Sequence, residues 1–208
     1  MDIIKKLAQE LAIKEEQAKA AVQLIDEGNT IPFIARYRKE MTGALNDETL
    51  RNLHERLLYL RNLEEKKEQV INAITDQGKM TEDLKKKILS AETLVAVDDL
   101  YRPYRPKKQT RATKAKEKGL EPLANILLLQ KTTKSMEEEA AAFVNAEKGV
   151  ANAKEAIAGA KDIIAEMIAD MADYRKSIRN CTMKQGSLVV KAKDEKAESV
   201  YEMYYDFR

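Results

Sequence analysis

The chain has 208 residues, enough for one large domain or two small ones, and its 44% hydrophobic and 35% charged content is that of a globular chain. Alanine, lysine, glutamate and leucine dominate while glycine (7) and proline (4) are scarce, which favours an all-α fold. The net charge of +2 confines any polyanion-binding character to local patches, and a single histidine and a single cysteine exclude a zinc site or a histidine-dependent triad.

No apolar run approaches the roughly 20 residues of a membrane span, so no membrane partner is expected. The lone Cys181 and the lack of a secretory signal pattern point to the cytoplasm.

In chain order, Asp2 is placed to cap a short helix carrying Ile3, Ile4, Leu7 and Leu11. A second helix is predicted over about 14–27, with Ala18, Ala21, Val22 and Ile25 inward, and Gly28 can take the left-handed conformation that ends it. Asn29 or Thr30 then caps a third short helix that tolerates Pro32 in its first turn. Short helices joined by tight turns make residues 1–45 compatible with a helix-turn-helix.

The third helix belongs to the most individual stretch, TIPFIARYRKEMTG. Ile31, Phe33, Ile34 and Tyr37 can anchor it, leaving Arg36, Arg38 and Lys39 as a basic surface suited to a nucleic-acid backbone. The competing reading pairs these arginines with acids of the next helix, such as Asp47 or Glu48.

Residues 46–77 lack proline and glycine, and Leu50, Leu53, Leu57 and Leu60 fall on one helical face. Val70, Ile71 and Ile74 form a second apolar patch, and EEKKE at 64–68 separates the two. The pattern predicts one long central helix of roughly 45 Å, packed at both ends and solvated at its waist. A coiled-coil dimer fits less well, because Glu64 and Lys67 take the seam after two heptads.

Residues 79–134 read as short helices around an unusual segment. Thr81 caps one helix to about Leu89, and Ser90 or Thr93 caps another ending near Leu100. Asp98 and Asp99 are adjacent and diverge by about 100° on a helix, which suits no shared metal. YRPYRP at 101–106 is expected to be extended, because a residue before proline is pushed out of the helical region. From 102 to 118 there are eight basic residues and one acid, Glu117. Arg102, Arg105, Lys107, Lys108, Arg111 and Lys114 are candidates for phosphate contact, with Tyr101 and Tyr104 available for stacking on bases. In the alternative, the tyrosines pack on helices and the arginines pair with acids of the long helix.

Gly119 ends a basic helix and Pro122 opens the next, whose Leu123, Ile126, Leu127 and Leu129 read as core. Ser135 and Glu138 make a capping-box pattern that opens the alanine-rich region 135–208. Residues 150–183 read as continuous helix, with Gly159 a kink or a close approach. Ile157, Ala160, Ile164, Met167, Ile168 and Met171 read as core, or as a methionine-rich groove for a partner. Cys181 is expected to be at least half buried and His54 solvated. SLVVKAK at 187–193 reads as a short strand without an evident partner, and 195–207 as a final helix exposing Val200, Tyr201, Tyr204 and Tyr205. The expected fold is thus all-α and multi-helical, with a helix-turn-helix-like start, the long helix over 46–78 and a short strand near the C-terminus.

GNTIPFIARYRKEMTGAL, ERLLYLRNLEEKKEQV, DDLYRPYRPKKQTRATKAKEKGLEPLA and AGAKDIIAE together resemble the Tex family of bacterial transcription accessory proteins. The resemblance covers essentially the whole chain. It implies the family's N-terminal helical region, ahead of an RNase H-like domain, helix-hairpin-helix elements and a C-terminal OB-fold to which RNA binding is attributed. Two functions follow as expectations. One is a non-catalytic module that binds RNA or DNA weakly and without sequence preference. The other is a helical scaffold that positions further domains or docks RNA polymerase or another transcription protein. Catalytic residues, metal ligands and cofactors are expected in neither, since no carboxylate cluster meets a nucleophile or a histidine.

Overall fold

The computed structural model describes residues 2–194 and 196–207. The chain divides into two compact units, one ending at Tyr101 and the other beginning at Arg102. Eleven α-helices and one two-stranded antiparallel sheet are present among the described residues, so the fold is all-α. None of these helices is long and apolar enough to cross a membrane.

The first unit is built on the long helix. Its elements are α1 (Ile3–Glu10), α2 (Glu15–Asp26), α3 (Ile31–Tyr37), α4 (Asp47–Asp76), α5 (Glu82–Ser90) and α6 (Leu94–Tyr101). Their starts follow the capping chemistry. Asp2 accepts from the Lys5 amide at 3.1 Å, Asn46 from Thr49 at 2.7 Å and Thr81 from Leu84 at 3.2 Å. Gly28 follows α2 at φ +86°, where a side chain would be strained.

All five other helices pack on α4, which runs unbroken for 30 residues. Its buried face is Leu50, Leu53, Leu57, Leu60, Leu63, Lys67, Val70 and Ile74. The buried face therefore runs on through the waist, contrary to the sequence expectation, with Glu65 and Glu68 exposed on its other side. Leu63 steps into the seam, and Lys67 stays in it at 2% exposure. The lysine stem buries like an aliphatic side chain. Its ammonium donates to Glu64 Oε1 at 2.8 Å and to the Leu89 carbonyl at 2.9 Å, at the end of α5. Two paired guanidinium–carboxylate contacts tie the first helices to the long one. Arg56 meets Glu10 at 2.5 and 2.9 Å, and Arg61 meets Asp26 at 2.7 Å through both nitrogens. His54 is half-buried rather than solvated, and Asp99 is buried.

The second unit gathers around a later helix. Here a 3-10 turn at Arg102–Tyr104 is followed by α7 (Arg111–Glu117), α8 (Glu121–Leu129), α9 (Met136–Ala141), α10 (Ala153–Asp170) and α11 (Ala172–Gln185). The turn corrects the extended reading of YRPYRP: Tyr101 ends α6, residues 102–104 form the turn, Arg105 is a bend, and the irregular stretch is 106–110. α7, α8 and α9 pack on α10, burying Ala112, Ala115, Leu123, Ala140, Ala156, Ile157, Ala160 and Ile163. Gly159 marks a close approach. A Cβ there would lie 2.4 Å from Leu120 Cδ1 and 3.2 Å from Ala115 Cβ. The Ser135–Glu138 capping box forms with both its bonds, at 3.0 and 3.2 Å, but α9 ends at Ala141.

Several apolar positions read as core are exposed instead. Leu129 is 61% exposed, and Met167, Ile168 and Met171 face solvent on the second half of α10 and just beyond it. The helix read as continuous breaks at Met171, and Cys181 is exposed on α11. The strand near the C-terminus does find a partner. β1 (Val190–Lys191) pairs antiparallel with β2 (Asp206–Phe207), Val190 opposite Phe207. In place of the final helix there is a 3-10 turn at Glu202–Tyr204 that leads into β2, and its expected first residue, Glu195, lies outside the described residues.

Candidate nucleic-acid interface

The first basic group sits on α3 and the turn that follows. α3 is anchored on α4 through fully buried Ile34. Tyr37, read from sequence as another anchor, is instead 60% exposed. Its ring lies 5.3 Å from Phe33, tilted by 46°, and the Arg38 guanidinium rests 5.1 Å over the Phe33 ring. Arg38 Nη1 also donates to the Tyr37 carbonyl at 3.2 Å. Below this surface the backbone is held by buried Thr42, whose hydroxyl donates to the Arg38 and Lys39 carbonyls at 3.3 Å each. Gln17 of α2 then donates to the carbonyls of Thr42 and Gly43 at 3.2 and 2.9 Å.

Arg36, Arg38 and Lys39 are all exposed, and among the described residues no carboxylate lies within ion-pair distance of them. Asp47, one of the acids proposed to neutralise them, is paired with Arg51 at 2.8 Å.

The second basic group behaves differently. Asp162, Glu166 and Asp170 recur at four-residue spacing on α10 and so share one face. Arg102 Nε meets Asp170 at 2.9 Å, Lys107 bonds both Asp170 and Glu166 (the latter at 3.2 Å), and Arg111 reaches Asp162 at 3.5 Å. Thr110 adds a bond from its hydroxyl to Glu166 at 2.8 Å. Burial pulls the Lys107 ammonium pKa down, but its bonds to Asp170 and Glu166 outweigh this and hold it above the ordinary lysine value. Arg102, Arg105, Lys107, Lys108, Thr110 and Asp170 help to line an open groove of about 360 Å³.

Lys108 and Lys114 are exposed and, among the described residues, have no carboxylate within ion-pair distance. Arg105 is exposed as well. The internal partners of Arg102, Lys107 and Arg111 are thus acids of α10, not of the long helix. Sequence reasoning followed only the apolar residues of this helix, although the D-x3-E-x3-D spacing was there to be read.

The nine candidate cations therefore fall into two groups, in different units. Arg36, Arg38 and Lys39 offer charge without internal neutralisation. In the second group the charge left open belongs to Lys108 and Lys114, while Arg102, Lys107 and Arg111 hold the 102–111 segment against α10. Unpaired guanidinium and ammonium groups beside an exposed ring are chemically suited to phosphate and base.

Family models match the chain twice. Residues 1–75 match the Tex-like protein N-terminal domain, and residues 131–208 match the Tex central region-like model. Protein YhgF of Escherichia coli is 45% identical over 203 residues, covering 96% of this chain and 26% of its own length. Protein tex of Bordetella pertussis is 45% identical over 189 residues, 91% of this chain and 24% of its own length. The Transcriptional accessory protein Tex of Neisseria gonorrhoeae is 42% identical over 211 residues, 100% of this chain and 27% of its own length. The chain thus spans about a quarter of these relatives. Matched by both models in sequence order and by these relatives along nearly all its length, the chain belongs to the Tex family.

Proposed function

We propose that this chain is a non-catalytic module of a transcription accessory protein, acting in the cytoplasm, that binds RNA or DNA weakly and without base preference. The observation that carries this reading is the exposed Arg36, Arg38 and Lys39 group, which no carboxylate neutralises among the described residues. Phosphate contacts of this kind give affinity without sequence information, and they weaken steeply with salt. The name of the Neisseria relative supports a role in transcription. The helical body has no bond to make or break in this reading. It holds the cations in place through the Thr42 and Gln17 hydrogen bonds.

One observation favours a second reading, a scaffold that docks RNA polymerase or another transcription protein without touching nucleic acid. Arg102, Lys107 and Arg111, half of the basic segment's candidates, are already engaged by α10. Fluorescence anisotropy with single- and double-stranded RNA and DNA, at low and moderate salt, separates the two. Binding that disappears on Arg36→Glu/Lys39→Glu supports the first. A failure to bind any of the four even in low salt leaves the scaffold.

A further inference from the structure

The surface of α3 presents more than charge. Phe33 and Tyr37 are four residues apart, so they share one side of the helix, with their rings 5.3 Å apart. Arg38 closes over Phe33 from the end of the helix. Phe33, in contact with both, is half-buried, whereas Tyr37 keeps 60% of its surface in water. Arg36 directly precedes Tyr37 on the helix and Lys39 follows in the turn, both exposed. The arrangement is one supported ring with a cation on either side in sequence, on a backbone pinned by Thr42 and Gln17.

We propose that Tyr37 is a base-stacking platform and that this surface takes a single-stranded stretch of nucleic acid, with Arg36, Arg38 and Lys39 on the neighbouring phosphates. The inference rests on the nucleic-acid reading above and adds strand selectivity and a residue to it. The occupant follows from charge and from shape. Three cations without internal carboxylates, against one adjacent acid, Glu40, suit a polyanion. In a duplex the π-faces of the bases are already stacked on one another, so Tyr37 would meet only the backbone. In a single strand those faces are open, and stacking on an aromatic side chain is tolerant of base identity. Arg38 is preorganised by Phe33 and by its bond to the Tyr37 carbonyl, which reduces the side-chain freedom lost on binding.

The test uses the full 208-residue chain and fluorescein-labelled oligo(U), oligo(dT) and a duplex of equal length in low salt. Tyr37→Ala, Tyr37→Leu and Tyr37→Phe are compared with the unaltered chain, and far-UV circular dichroism and thermal midpoints check that each is folded. Tyr37→Leu keeps an apolar contact for Phe33, so a loss of binding in a folded Leu variant is a loss of stacking. The expected result is tighter binding of at least one single strand than of the duplex. The Ala and Leu variants should weaken that binding by about five-fold or more, with duplex binding unchanged, and Tyr37→Phe should stay within about two-fold of the original. Which of oligo(U) and oligo(dT) binds more tightly then identifies RNA or DNA as the preferred strand.

If Arg36→Glu/Lys39→Glu weakens binding while all three Tyr37 variants bind single strands normally, the platform is refuted and the broader reading survives. If no oligonucleotide binds, both fall. Capture of RNA polymerase that depends on Tyr37, without oligonucleotide binding, reassigns the surface to a protein and overturns the proposal.

Discussion

Lys67 occupies a position in the α4 seam where a methionine would bury a stem of similar length without a charge to satisfy. Its stem contributes apolar burial and its ammonium satisfies a carbonyl at the end of α5, 22 residues away. The two contributions separate by substitution. Lys67→Met keeps most of the buried volume but leaves the Leu89 carbonyl without this donor, at a cost of about 1–2 kcal/mol. Lys67→Ala also opens a cavity in the seam, and the cost rises to about 2–4 kcal/mol. Urea unfolding of both variants checks the order; equal midpoints would mean that the stem contributes nothing. Gly159 makes the opposite point, since there a methyl group is too much. Leu120 is 1% exposed, so its Cδ1, 2.4 Å from the position of the added Cβ, has little room to retreat. Gly159→Ala should therefore destabilise by about 1–3 kcal/mol, even though alanine is the better helix former, and the same unfolding experiment reads it.

At the scale of elements, α10 has two working faces. Its apolar face carries Ala156, Ile157, Ala160 and Ile163 into the second unit's core. Its acidic face, Asp162, Glu166 and Asp170, holds the chain from Arg102 to Arg111. Replacing Glu166 and Asp170 with Gln and Asn keeps their shapes and removes the charges that hold Lys107. Trypsin should then cut faster at Lys107 and Lys108, because proteolysis follows the population of the open segment. A loss of 1–2 kcal/mol corresponds to roughly five- to thirty-fold. Arg102 and Arg105 precede prolines and resist trypsin, so the new cut is diagnostic, and an unchanged digestion rate would show that packing alone holds the segment. The helices themselves were legible because their start signals are local: Asp2, Asn46, Thr81 and Ser135 each bond an amide three residues on. The α10 clasp was half legible. Four-residue spacing tells which carboxylates share a face, but the partners of Asp170 lie 63 and 68 residues away in the chain, a distance that only the folded topology bridges. Tyr37 was misread for a related reason. The α3 pattern offered four apolar side chains, and burial of Ile34 leaves the last of them in water.

For the molecule as a whole, acid and salt probe different charges. Hydrogen bonding to Arg56 holds the Glu10 carboxyl below its ordinary value despite partial burial, and Arg61 does the same for Asp26. A carboxylate whose pKa is lower in the folded state stabilises the fold above its unfolded value and loses that contribution as pH falls through the folded one. The two pairs should therefore lend stability at neutral pH that is lost on the acid side of the ordinary carboxylate range. Each amounts to less than about 1 kcal/mol, because both are partly exposed. Arg56→Met and Arg61→Met should remove this part of the acid dependence in pH-dependent urea unfolding; a curve unchanged by both would place it elsewhere. Salt tests the basic surfaces. Contact with a single-stranded polyanion releases about 0.7 counterion per neutralised phosphate. Arg36, Arg38, Lys39, Lys108 and Lys114 have no carboxylate within ion-pair distance among the described residues. Five such contacts limit the slope of log affinity against log salt to about −3.5. Were all nine candidate cations to reach phosphate, the slope would approach −6, and Arg102, Lys107 and Arg111 would have to leave α10. A measured slope no steeper than about −3.5, unchanged by neutralising Glu166 and Asp170, means that the clasp stays closed on binding. A slope that steepens in that variant means that α10 competes with nucleic acid for the same cations.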